Sequence, residues 1–140
     1  MPIRFAISLL LLASSACLGD IDGCSDGNTC QLRAPQYSGD VKIFCIKAPE
    51  LTEPFGIAAR DALRANVRGT VRVLMDRFEG WHPVAELIRD DGLNLGLELV
   101  QRGLAKVPKE CNEVIYRLAE TEALKSSLGL WAVPPGSEVE

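Results

Sequence analysis

The sequence is poor in the groups that hold a transition metal or attract a nucleic-acid backbone. Its only histidine is His82, and its five cysteines include no Cys-x-x-Cys pair, so we expect no zinc site. The formal net charge is −4 at pH 7, whereas a protein that tracks a phosphate backbone usually presents a basic surface. Composition therefore argues against a broad nucleic-acid surface and leaves room only for a local basic patch.

The sequence also lacks an apolar run long enough to cross a bilayer. One apolar segment, Phe5 to Ala13, follows the basic residue Arg4 and precedes the small residues of Ser14–Ala16. This order is typical of an export signal, and we predict that residues 1–16 are a signal peptide; the alternative is a buried terminal strand or helix. Because Arg4 is the only charge before Cys17, the mature part carries 14 basic and 19 acidic residues.

Two processing outcomes fit the residues around Cys17 equally. Ser14-x-Ala16 suits ordinary cleavage before Cys17, which predicts a periplasmic or extracellular protein. Ala16-Cys17 also resembles a lipoprotein box, although Ser14 stands where an aliphatic residue is usual. In that case Cys17 would carry the lipid, and this anchor would be the only contact with a membrane.

Four further cysteines, Cys24, Cys30, Cys45 and Cys111, favour two disulfides in an oxidising compartment, with three possible connectivities. The alternative is that some of them are small buried apolar residues. Cys30 and Cys45 lie on the predicted inward faces of neighbouring strands. A hairpin could bring them together, and a bond there would stabilise by about 3 kcal/mol.

Periodicity and turn residues predict one domain over residues 20–132. Strands are predicted at 20–25, 29–33, 41–46, 70–75 and 83–89, with a turn over 34–40. Helices are predicted from Pro54 to Gly69, from the cap Asn94 to Gln101, and from Asn112 to Leu128. Five short strands with an interposed helix suit a small, partly open barrel. We expect residues 133–140 to form a flexible tail.

Three segments occur in the order found in one nuclease family. They read Asp26-Gly27-Asn28-Thr29, Ile43-Phe44-Cys45-Ile46-Lys47-Ala48-Pro49-Glu50, and Leu99 to Val107. Together they resemble the thermonuclease family, also called staphylococcal-nuclease-like, in which the first segment reads Asp-Gly-Asp-Thr and the second ends Asp-Ala/Thr-Pro-Glu. The resemblance implies an α+β protein with an OB-fold, a five-stranded barrel with three helices.

The resemblance also implies a chemistry. Active members hydrolyse DNA and RNA phosphodiesters with one calcium ion held by carboxylates. A glutamate orients or deprotonates the attacking water, and two arginines stabilise the charge on the phosphoryl group.

Most of these positions carry other side chains in this sequence. Asn28 and Lys47 stand at the two calcium-ligand positions, and Ala48 offers only its backbone carbonyl. An ammonium about 4 Å from a divalent ion repels it by roughly 8 kcal/mol at an effective dielectric near 20. Lys42 and His82 stand nearest to the two arginine positions, and Glu50 alone is unchanged.

The pocket residues also have simpler interpretations. Asp26 is either an acid in the outer shell of the metal site or a residue that merely shapes the turn with Gly27. Glu50 is either a relic general base or the ion-pair partner of Lys42 or Lys47. Lys47 could replace calcium as a built-in cation that pairs with Asp26 or Glu50. Arg72 and Arg77 are nearby cations without a spacing argument, and Trp131 is expected in the core.

We therefore expect an exported, monomeric domain that no longer cuts nucleic acid and binds a ligand in the cell envelope, which is a protein, a glycan or a nucleic acid. No cofactor and no tightly bound metal are expected. One alternative is a weak calcium-dependent phosphodiesterase acting on DNA or RNA. The other is a mainly structural envelope lipoprotein.

Overall fold

The computed structural model describes residues 17–132 of the chain. The predicted signal peptide at residues 1–16 and the predicted tail at 133–140 lie outside the described residues. Among residues 17–132, none of the helices has the length and apolar character needed to cross a membrane.

Five strands form a closed barrel in the order β1-β2-β3-β5-β4. Their bounds are β1 Cys17–Cys24, β2 Thr29–Ala34, β3 Tyr37–Ile43, β4 Thr70–Glu79 and β5 His82–Arg89. Neighbouring strands are antiparallel except for β3 and β5, which pair in parallel. The predicted five-stranded barrel is confirmed. It is closed rather than partly open, because β1 pairs with β4 from Cys17 to Asp20 and closes the sheet.

Several strands extend beyond the sequence prediction because their partners continue. β1 begins at Cys17 rather than 20, since Cys17 and Leu18 lie opposite Val73 and Arg72. The predicted turn over 34–40 is only Pro35-Gln36, because Tyr37 to Asp40 pair with β2. Strand pairing across the barrel is a tertiary property, so local periodicity did not reveal these ends.

Three helices pack on the barrel: α1 Gly56–Asn66, α2 Leu95–Gln101 and α3 Val114–Lys125, followed by a 3-10 turn at Gly129–Trp131. The predicted cap Asn94 is confirmed, since its side-chain oxygen accepts from the backbone N–H groups of Gly96 and Leu97 at 3.1 Å. Glu113, rather than Asn112, occupies the cap position of α3 and makes no side-chain cap bond.

The first helix begins two residues after Pro54 because Phe55 adopts a left-handed backbone, with φ of 68°. A Cβ on Gly56 would lie 1.9 Å from the carbonyl oxygen of Glu50. Only glycine permits this approach, which holds the start of α1 against the end of the Lys47–Glu50 segment.

The core lies inside the barrel and beneath the helices. The alternation predicted for β2 and the following segment is confirmed, since Cys30, Leu32, Val41, Ile43 and Cys45 are all buried. Trp131 is only partly buried rather than in the core, with the Lys106 ammonium 5.3 Å from its ring centroid.

Two disulfides are present, and they do not follow the suggested Cys30–Cys45 contact. Cys24 bonds to Cys30, its register partner on β1 and β2. Cys45 bonds to Cys111, 66 residues along the chain. Cys45 lies beyond the end of β3 and has a left-handed φ of 63°, so it leaves the hairpin plane. Cys17 is free and exposed.

Candidate functional site

A cleft of about 980 Å³ opens beside the parallel β3–β5 pair. Five of the sequence-predicted site residues line it: Asp26, Asn28, Lys42, Lys47 and Glu50. Ala48 and His82 are not among the lining residues. The fold therefore brings the two family motifs to one place, although one is a β1–β2 turn and the other follows β3.

The cleft has two walls. The barrel wall consists of the turn at 26–29, the segment at 42–50 and the β4–β5 residues Asp76, Arg77, Glu79 and Val84. The loop wall consists of residues 108–113, between α2 and α3, of which Pro108, Glu110, Cys111, Asn112 and Glu113 line the cleft.

On the barrel wall, Asn28 and Ala48 form a reciprocal pair of hydrogen bonds. The Asn28 side-chain Nδ2 donates to the carbonyl oxygen of Ala48 at 2.9 Å, and the Ala48 backbone N–H donates to Asn28 Oδ1 at 2.6 Å. An amide carries both a donor and an acceptor, whereas an ionised aspartate carries acceptors only. Asparagine is therefore the residue type that can close this pair.

The turn before Asn28 is held in the same way. The Asn28 backbone N–H donates to Asp26 Oδ1 at 2.8 Å, which supports the interpretation that Asp26 shapes the turn. A Cβ on Gly27 would lie 2.6 Å from Ala48 Cβ and 2.9 Å from Ala59 Cβ. The turn is thus pressed between the Ala48 segment and helix α1.

Lys47 is fixed by its backbone and not by its charge. Its N–H donates to the carbonyl oxygen of Lys106 at 2.7 Å, and its own carbonyl accepts from the Lys106 N–H at 2.9 Å. The side chain is exposed. Within residues 17–132 Lys47 makes no ion pair, so the expected pairs with Asp26 or Glu50 are absent there and that prediction is wrong.

Lys42 forms an ion pair with Glu79 rather than with Glu50. Its Nζ lies 3.0 Å from Glu79 Oε2, and Arg77 binds the other oxygen of Glu79 at 2.7 Å. Hydrogen bonding by Lys42, and then by Arg77, lowers the pKa of Glu79. The sequence offered Arg72 and Arg77 as nearby cations without placing either at the site. The structure shows that Arg77 lines the cleft, where it also contacts Asp76 at 2.7 Å.

His82 lies at the end of the hairpin and opposite Glu79 in the β4–β5 register. It is exposed and stands outside the cleft lining. The two strands run on past the point that the sequence predicted as a loop, and they carry His82 away from the barrel. Arg77 precedes the turn on the strand before it, and only the tertiary pairing shows that it points toward the cleft.

Glu50 lines the cleft with an exposed side chain. Its backbone N–H donates to Glu53 Oε1 at 2.9 Å. In the described part of the chain its carboxylate takes part in no ion pair, so the predicted contacts with Lys42 and Lys47 are not formed.

The loop wall was missed by sequence reasoning, although Cys111 was noted as a disulfide candidate. Its bond to Cys45 joins the two walls covalently. Arg117 of α3 holds the same loop, since its guanidinium donates to the carbonyl oxygens of Pro108 at 2.7 Å and Cys111 at 3.0 Å. The loop wall is thus attached both to the barrel wall and to helix α3.

The charged side chains that line the cleft are mostly acidic. The carboxylates are Asp26, Glu50, Asp76, Glu79, Glu110 and Glu113, and the cations are Lys42, Lys47 and Arg77. Acidic groups do not by themselves form a metal site, because the ligands must converge. Among residues 17–132 no group of three or more histidine, cysteine, aspartate or glutamate side chains is placed to hold a metal ion.

The residues present do not fit the calcium ion that the family resemblance implies. Both polar atoms of the Asn28 side chain, and both backbone groups of Ala48, are already engaged with one another. Lys47 adds a positive charge at the second ligand position, which opposes a divalent cation.

Comparison with known proteins assigns the family. The profile of the staphylococcal nuclease homologues matches residues 40–133. A protein described as an uncharacterized endonuclease of Escherichia coli O157:H7 is 26% identical over 117 residues, which cover 79% of this chain and 76% of the relative. With the closed five-stranded barrel, the three helices and the collinear motifs already described, this chain belongs to the staphylococcal nuclease family.

Proposed function

We propose that this protein is a non-catalytic binding domain of the staphylococcal nuclease family that works in the cell envelope. The observation that carries the proposal is the reciprocal Asn28–Ala48 pair. It joins the same two segments whose acidic residues hold calcium in active members of the family. A hydrogen bond between amide groups takes the place of an ion bridge, and the segments stay together without metal.

The loss of catalysis follows from charge as well as from hydrogen bonding. Phosphodiester hydrolysis needs positive charge directed at the phosphoryl oxygens. Here Lys42 and Arg77 both bind Glu79, so their charge is already partly balanced. Lys47 adds a cation, but it lies in the place of a metal ligand.

The charge of the cleft indicates the class of ligand. Six carboxylates and three cations line it, and a polyanionic strand entering it would meet net negative charge. Among the ligand classes expected from the sequence, a protein is therefore favoured over a nucleic acid. We expect a segment with lysine or arginine side chains, which would meet Glu110 and Glu113 on the loop wall.

An envelope location is supported by the two disulfides, which persist in oxidising compartments, and by the signal-like pattern of residues 1–16. Whether Cys17 carries a lipid is a separate question. Metabolic labelling with a fatty acid, lost in Cys17→Ser, would identify the anchored form. If Cys17 is labelled and no ligand binds in the cleft, the alternative of a mainly structural lipoprotein would be favoured over a binding domain.

Catalysis is tested by incubating the mature chain with single-stranded DNA and calcium, and then with a chelator. We expect no chelator-sensitive cleavage. The matched variant carries Asn28→Asp and Lys47→Asp, which restore both acidic ligand positions, and calorimetry should detect calcium binding in this variant only. Efficient calcium-dependent cleavage by the unchanged protein would contradict the proposal.

Ligand class is tested by fluorescence anisotropy with a short lysine-rich peptide and with an oligonucleotide of similar length. The peptide should bind in a salt-dependent way, and Glu110→Gln with Glu113→Gln should weaken it. The oligonucleotide should bind more weakly. Tighter binding of the oligonucleotide would reject the protein ligand.

A weak calcium-dependent phosphodiesterase is the second candidate. It is favoured by the family itself, by the endonuclease description of the relative, and by Glu50 and Arg77 lining one cleft. The same cleavage assay separates the two candidates, and loss of any cleavage in Glu50→Gln would assign it to this cleft.

A further inference from the structure

The hairpin formed by the distal halves of β4 and β5 projects from the barrel. Every residue from Leu74 to His82 is exposed. The turn is Gly80-Trp81, with Gly80 at a left-handed φ of 58°. Two aromatic side chains stand at this end: Phe78 is 63% exposed and Trp81 is 91% exposed. We name Phe78 and Trp81 the aromatic tip.

Phe78 is separated from the charged groups of the hairpin. Strand residues alternate between faces, so Phe78 lies on the face opposite Arg77 and Glu79, which line the cleft. Thr70 to His82 contains two arginines and two carboxylates, so the hairpin has no excess charge. A partner of the aromatic tip would therefore be held by apolar contacts and not by electrostatic attraction.

The area of the tip is small for a protein partner. An aromatic side chain buries about 150–250 Å², and a stable protein interface buries about 800 Å² on each partner. Phe78 and Trp81 together fall short of that figure. Contact with a lipid interface does not require a minimum buried area of this size. Tryptophan is enriched at such interfaces because its ring is apolar and its N–H stays near water.

The start of the described chain lies at the same end of the barrel. β1 runs antiparallel to β4, and Cys17 lies opposite Val73. The chain therefore enters β1 from the end toward which β4 continues to the tip. Cys17 is exposed and unbonded, and Leu18 beside it is also exposed. A lipid on Cys17, or an apolar segment before it, would be attached at that end.

From these observations we propose that the aromatic tip inserts into the interfacial layer of a lipid bilayer and orients the barrel on the membrane surface. The insertion is shallow, because Arg77 and Glu79 follow within the same hairpin and remain at the headgroup level. The tip can contact the bilayer with or without a lipid on Cys17, because its exposed apolar area does not depend on that modification. This proposal does not depend on the ligand of the cleft.

The test uses residues 17–140, which contain the complete closed barrel, with Cys17→Ser and Trp131→Phe. These changes remove the thiol and leave Trp81 as the only tryptophan. With phosphatidylcholine vesicles we expect a blue shift of the Trp81 emission and quenching by brominated lipid. Phe78→Ser in this background should lower the partition coefficient about tenfold.

Ile115→Ser is the matched control, because Ile115 is an exposed apolar residue of α3 with 59% exposure. It should leave partitioning unchanged, and circular dichroism should show that every variant is folded. Four results would overturn the proposal. They are an absence of partitioning, an equal loss in Ile115→Ser, binding only to anionic vesicles with reversal by salt, and self-association that Trp81→Ser abolishes.

Discussion

The two walls of the cleft are held by different kinds of bond. The barrel wall is closed by hydrogen bonds between Asn28 and Ala48 and by the close packing of Gly27. The loop wall is attached by the Cys45–Cys111 disulfide and by Arg117. The first wall is held by hydrogen bonds between neutral groups, whereas the second depends on a covalent bond of the kind that persists in oxidising compartments. Both walls are thus held in place by bonds between protein groups.

The largest effect is expected at the loop wall. Replacing Cys45 and Cys111 by alanine releases a loop with a sequence separation of 66, and the chain-entropy relation predicts a loss of about 4 kcal/mol. The pair Cys24 and Cys30, with a separation of 6, should cost about 2 kcal/mol when replaced. Denaturant unfolding measures both. Equal losses would show that loop length does not govern the difference between the disulfides.

The next effect is expected at the barrel wall. Asn28→Asp removes the donor to the Ala48 carbonyl and places a carboxylate against that oxygen. We expect a loss of about 2 kcal/mol without calcium, the cost of a part-buried acceptor left unpaired. Added calcium should recover little of it while Lys47 remains. A stability equal to that of the unchanged protein would show that the reciprocal pair does not hold the two segments together.

A smaller effect is expected for the lysines of the same wall. Lys47→Ala should change the free energy of unfolding by less than about 0.5 kcal/mol, because its side chain is exposed and its backbone bonds are retained. Lys42→Ala should cost up to about 1 kcal/mol, since it breaks an exposed pair with Glu79. A large decrease in the free energy of unfolding in Lys47→Ala would support the interpretation of this lysine as a built-in substitute for calcium.

The smallest effect concerns how the stability contributed by the ion pairs of Glu79 depends on pH. The pKa of Glu79 is lowered from its ordinary 4.5 by Lys42 and Arg77. The ion pairs of Glu79 therefore stabilise the folded state fully above the ordinary pKa of 4.5. This stabilisation is lost as the pH falls through the lowered pKa of Glu79. Carboxyl titration by NMR should show the pKa of Glu79 rising in Lys42→Ala. The pKa of Asp91, held at about 2 mainly by its hydrogen bond with Arg89, is the control and should not move.

The sequence predicted the repeating parts of the fold well. Alternation identified the inward residues of β2 and β3, and Asn94 marked the start of α2. Prediction was wrong where a distant partner decides the outcome. β4 continues past Met75 because β5 pairs with it, and His82 is consequently carried out of the site that it was expected to complete. Cys30 and Cys45 face inward as expected, but each has a closer partner elsewhere.

The amino-acid sequence by itself determined the family, the order of elements and the side chains available at the positions that the family motifs assign to the metal. Those properties follow from local periodicity and from the identity of single residues. Only the tertiary structure decided that Asn28 bonds to Ala48, that Arg77 reaches the cleft and that Cys111 closes its second wall. Each of these contacts joins residues 20 to 66 positions apart in the chain or depends on which strand face turns inward, and sequence spacing carries no information on such distances.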